Sequence, residues 1–85
     1  MNELYAEAML GRDAEEFLAS DIGRYLLGRV EQEESDAVEM LARVSPWRRS
    51  RITQLQNEIW RARMFKTWLA ELVHTGQQAL SQLEE

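Results

Sequence analysis

Apolar positions recur along this chain with the three-and-four spacing of a helix that packs on other helices. The clearest run is Ile52, Leu55, Ile59, Ala62, Lys66, Leu69, Val73, Gly76, Leu80 and Leu83. Its steps alternate three and four, as in a heptad seam. Lys66 interrupts the seam, although its methylene stem can lie on apolar surface while the charge reaches water. A second row, Phe65, Trp68, Leu72 and Ala79, runs beside the first. The combined face is wider than a two-stranded seam needs and predicts neighbours on more than one side. Ser45 can cap such a helix and Pro46 suits its first position. The pattern thus predicts one helix from Ser45 to Leu83, roughly 55 Å long. Gly76 weakens it and marks either a close contact or the helix end.

Upstream, Ile22, Leu26, Leu27, Val30, Ala37, Met40 or Leu41, and Val44 form a second helical stripe, with Glu33 near it. The reversal at Val44–Pro46 is tight, so the two stripes should pair antiparallel. Gly23 and Gly28 read as sites where another helix comes close. Leu4, Tyr5, Ala8 and Met9 predict a short N-terminal helix ending at Gly11 and Arg12. Asp13 with Glu16 has the form of a capping box, and Ser20–Asp21 offers a second cap. Residues 13–44 fit one helix or two. The last helix outruns its partner by roughly four turns. Residues 2–19, a second copy of the chain, or both could cover the excess around Leu69–Leu83.

The chain has 85 residues and no cysteine. One domain, 1–85, is expected, and so short a chain often oligomerises to gain stability. Disulfides, thiolate metal sites and thiol catalysis are excluded. No apolar run is long enough to span a bilayer, and no basic segment precedes the first apolar residues, so the expected setting is the cytoplasm, without membrane contact. Net charge is −5 and unevenly spread. Residues 1–45 hold eleven acids and four arginines, whereas residues 46–85 hold six basic residues and four acids. Opposite signs suggest that the halves attract each other. In that pairing Asp36 and Glu39 should approach Arg51, and Arg24 the level of Lys66.

Candidate chemistry is sparse. His74 is the only histidine, and Glu71–His74 gives a single Glu-x-x-His where a di-iron bundle needs two. Glu31, Glu34, Asp36 and Glu58 have no matching partner motif. No nucleophile–base–acid set or phosphate loop is present. The expectation is therefore no enzyme, no cofactor and no metal. The sharpest feature is Trp47, Arg48, Arg49 and Arg51 beside the turn. In one reading Trp47 closes the end of the core and the arginines meet Asp36 and Glu39. In the other the cluster binds a macromolecule, a protein in preference to a nucleic acid. Trp60 with Met64, and Phe65 with Trp68, lie on different faces of one helix. Candidate self-association residues are Ile59, Trp60, Phe65, Trp68, Leu69, Leu72, Val73 and Leu80.

Two segments, FLASDIGRYLLGRVEQ at Phe17–Gln32 and LQNEIWRARMFKTWLAEL at Leu55–Leu72, resemble small uncharacterised proteins of tailed bacteriophages and prophages. The resemblance covers about half the chain and rests on DIGRYLLGR and QNEIWRA. It implies a phage or bacterial cytoplasmic setting, with a minor role in particle assembly or DNA packaging and association with the virion as one form of it. It carries over no functional residue. The expected protein is all-α: an antiparallel helical hairpin with a long C-terminal helix and short N-terminal helices packed on it. It should assemble as an oligomeric bundle, a dimer in preference to a ring. Its expected function is non-enzymatic protein–protein interaction or assembly. The alternative is a small nucleic-acid-binding protein that uses the arginine cluster.

Overall fold

The computed structural model describes residues 2–85. Three helices account for nearly all of it: α1 (Asn2–Ala19), α2 (Asp21–Arg43) and α3 (Arg49–Glu84). Among the described residues there is no strand.

The α2–α3 hairpin follows from its seams. On α2 the inward positions are Gly23, Leu27, Val30, Glu34, Ala37, Leu41 and Val44, alternating steps of four and three. Those beyond Gly23 face Leu55, Ile59, Ala62 and Lys66 of α3. Ala37, Leu55 and Ile59 form the core, flanked by Leu41 and Val44. Leu55, at 1% exposure, is the one large side chain among the described residues wholly withdrawn from water. Removing a leucine of this kind from water contributes about 1.5–3 kcal/mol. Sequence spacing placed Glu33 at the stripe; the side chain that enters it is Glu34. Arg63 donates to Glu34 at 2.9 Å, and Lys66 donates to its other oxygen. The Lys66 break in the seam is thus answered by an acid at the facing position. The acids expected to meet Arg51, and Arg24, expected at the level of Lys66, bond elsewhere. Glu39 accepts from Arg43 at 2.7 Å, Asp36 from Gln32 at 2.8 Å, and Arg24 donates to the Ala19 carbonyl at 2.7 Å.

The second half of α3 is covered by α1, which also runs antiparallel to it. Here the interface is made of small residues: Gly11 and Ala14 of α1, Gly76 and Ala79 of α3. A Cβ on Gly11 would lie 2.6 Å from the Gly76 Cα and 2.7 Å from the Leu72 carbonyl oxygen. The backbones therefore touch. That contact overrides the helix-breaking tendency of Gly11, so α1 continues to Ala19 instead of ending at Gly11–Arg12. Asp13 and Glu16 are exposed side chains inside α1, not a cap. Gln77 donates to Glu15 at 3.1 Å across the same contact.

The break falls at the second predicted cap. Ser20 Oγ donates to the Phe17 carbonyl at 2.6 Å and accepts from the Gly23 N–H at 3.0 Å. Residues 13–44 are therefore two helices. Gly23 is buried because a Cβ there would lie 1.6 Å from the Phe17 carbonyl oxygen. Its neighbour is the end of α1 at the kink. Gly28, read as a close-approach site, has nothing within 4 Å of a built Cβ.

The start of α3 also differs from expectation. Ser45 to Arg48 form a turn closed by the Arg48 N–H on the Ser45 carbonyl, 3.0 Å. Pro46 takes the second turn position, which its fixed φ suits as well as a helix start. The helix begins at Arg49, and Arg48 provides no side-chain cap. The resulting body measures 57 × 25 × 14 Å, with a radius of gyration of 17.3 Å. A compact chain of this length would have about 12 Å. No helix among the described residues is long and apolar enough to cross a membrane.

Candidate interaction site

Two surfaces combine exposed apolar groups with unmatched charge. The first is the hairpin tip. The turn that reverses the chain pushes Trp47 outward, and it is 80% exposed, more than any other large apolar side chain described. Arg48 and Arg49 follow it, both exposed, and neither forms an ion pair among the described residues. Trp47 does not close the core, and Asp36 and Glu39 have the other partners given above. The reading of this cluster as internal structure is thereby removed. Arg51 separates from it: its guanidinium reaches Gln54 Oε1 at 3.0 Å and Met40 Sδ at 3.4 Å.

Arg51 instead closes one end of the second surface, a groove between α2 and α3 of about 610 Å³. Ala37, Ala62 and Phe65 form its apolar floor, and Met40 stands on the α2 side. Glu33 and Asp36 stand on its α2 rim, Arg61 and Glu58 on its α3 rim. A shallower continuation past Val30 and Phe65 reaches Tyr25, Leu26 and Arg29. Glu33 meets Arg29 at 3.8 Å along α2, whereas Arg61 and Glu58 have no hydrogen-bonded or ionic partner among the described residues. Tyr25 and Arg29 were not singled out from sequence, and Ile22, Glu33, Asp36 and Met40 were not read as one outer row. Their signal was a second stripe, Ile22, Tyr25, Arg29, Glu33, Asp36 and Met40, one position to the side of the inner seam.

The predicted self-association residues divide between inside and outside. Ile59 is 8% exposed and belongs to the chain's own core. Leu69 and Val73 are half-buried on the inward side of α3. Phe65 is half-buried in the groove floor. Trp60, Trp68, Leu72 and Leu80 remain exposed. Leu80 belongs to the far end, where it lines a recess with Tyr5, Met9 and Leu83.

The electrostatic centre of the fold is Glu34. Hydrogen bonds from Lys66 and Arg63 hold its carboxyl below the ordinary 4.5. Glu71 and His74 are exposed on α3. No group of three or more His, Asp or Glu side chains among the described residues has the arrangement to hold a metal ion. Comparison with models of known protein families, with curated proteins and with solved structures gives no match.

Proposed function

We propose that this protein is a non-enzymatic interaction or assembly protein that engages a protein partner through the hairpin tip. The observation that carries the reading is Trp47, 80% exposed and followed by two arginines that form no ion pair among the described residues. Tryptophan and arginine are the side chains that most often dominate binding energy at protein interfaces. A rigid turn that presents both lowers the entropy cost of ordering them. Burial of Trp47 by a partner supplies the apolar anchor, and Arg48 and Arg49 supply charge-assisted hydrogen bonds. The resemblance to small phage proteins suggests a setting for such a role, as a minor particle component or a packaging accessory.

The unpaired arginines also favour a second reading, binding to nucleic acid phosphates. The overall charge of −5 works against it, because the acidic half would repel a duplex. Recovery of partners from host cells by wild type and by a W47A/R48A/R49A variant separates the readings. A protein retained by wild type and lost from the variant, then reconstituted from purified components, supports the first. Strongly salt-dependent binding of a short DNA duplex that the variant loses supports the second. Retention of every partner by the variant removes the tip from both.

A further inference from the structure

We infer that a second copy of this chain closes the groove between α2 and α3, with α2 of each copy lying over α3 of the other. The two-fold axis would run parallel to the helices. This goes beyond the tip-binding reading and uses a different surface.

Area is the first argument. The chain exposes 6677 Å². A compact monomer of 10.0 kDa exposes roughly 5,200 Å², so the excess is about 1,400 Å². A standard protein interface removes about 800 Å² from each partner. The surplus is therefore large enough to supply one such interface per copy. Part of it is apolar and continuous with the groove: Tyr25, Leu26 and Met40 on α2 are exposed beside a Phe65 floor.

Charge then chooses the partner and the orientation. The α2 rim offers Glu33 and Asp36, and the α3 rim offers Arg61, with Glu58 one turn nearer the hairpin tip, all facing one groove. Within the chain Arg61 reaches neither acid. An arrangement that stacks α2 on α2 would bring Glu33 and Asp36 toward their own copies, and like-charge contacts of that kind are strongly unfavourable. A two-fold axis parallel to the helices avoids this. It places α2 of one copy over α3 of the other, antiparallel and at the same level. Ala37 packs beside Ile59 in the core, so residues 33–36 stand level with residues 60–63. Arg61 then meets Glu33 and Asp36 of the second copy, and by symmetry the contact occurs twice. Two α2–α3 pairs stacked this way make a four-helix bundle over the shared half, with both Phe65 rings inside.

Sedimentation equilibrium across micromolar concentrations tests the proposal. The expected mass is twice the 10.0 kDa of the chain. Arg61→Glu should raise the dimer dissociation constant at least about tenfold, because it sets like charges face to face. Glu33→Arg with Asp36→Arg, added to Arg61→Glu, should restore most of the affinity, a result that simple loss of structure cannot give. The W47A/R48A/R49A variant should keep the wild-type mass. A monomer at all concentrations overturns the proposal. So does a trimer or larger ring, a dimer insensitive to Arg61→Glu, failure of the charge swap to recover, or loss of the dimer on changing the tip.

Discussion

At the scale of single residues, the glycines separate by what surrounds them. A Cβ on Gly76 would lie 2.6 Å from the Gly11 Cα and 3.0 Å from the Glu7 carbonyl oxygen. Backbone cannot yield as a flexible side chain can. Gly76→Ala should therefore destabilise by about 1–3 kcal/mol despite its better helix propensity. Gly28→Ala meets nothing and should stabilise by about 0.4–1 kcal/mol. Paired thermal melts check both, since 1 kcal/mol moves the midpoint by about 4–8 °C in a domain of this size. Leu55→Ala should cost about 2–5 kcal/mol, a large fraction of the stability of so small a core. Glu34 gives a signed pH dependence. Its folded carboxyl sits below its unfolded value, so the stabilisation is complete above the ordinary carboxylate range. It is lost as pH falls through the lowered folded value. Glu34→Gln should remove that part of the acid-side slope in denaturant titrations. The seam positions of α3 from Leu55 to Gly76 were legible because periodicity marks burial directly. The partners of the charged residues were not. Asp36 stands level with residues 60–63 and not with Arg51, Asp36 and Glu39 bond to Gln32 and Arg43 on their own helix, and Arg51 reaches Gln54 and Met40.

At the scale of elements, the boundaries divided along the same line. Ser20 was readable as a cap because its signal is local: a hydroxyl with a free N–H three residues on. Ser20→Ala should cost about 0.5–2 kcal/mol, measured by chemical denaturation, and should loosen the joint between α1 and α2. Pro46 was ambiguous because helix starts and turns ask the same φ of proline, and the choice of a turn moved the start of α3 to Arg49. The extent of α1 could not be read locally at all. The contact that holds Gly11 inside α1 comes from Gly76, which lies far along the chain. The groove was hidden for a related reason. Tyr25 and Arg29 look like an ordinary solvent-facing row until α3 places Phe65 beside them.

At the scale of the whole molecule, length in excess of width sets the behaviour. A radius of gyration of 17.3 Å leaves a thin core and much surface, so stability should rise with protein concentration if the groove closes on a second copy. Melting midpoints across a dilution series check this, and Arg61→Glu should flatten the trend. The joint at Ser20 has a further consequence, in time. The α2–α3 contacts through Glu34 close loops of 29 and 32 residues, whereas the Glu15–Gln77 contact of α1 spans 62. Shorter loops close at lower entropic cost, so the hairpin should form first and α1 should dock last. During synthesis at about 5–20 residues per second, Glu15 waits roughly 3–12 s before Gln77 exists to receive it. Leu4, Ala8 and Ala14, half-buried or buried in the folded chain, stay uncovered throughout that interval, which is time in which a chaperone can bind α1.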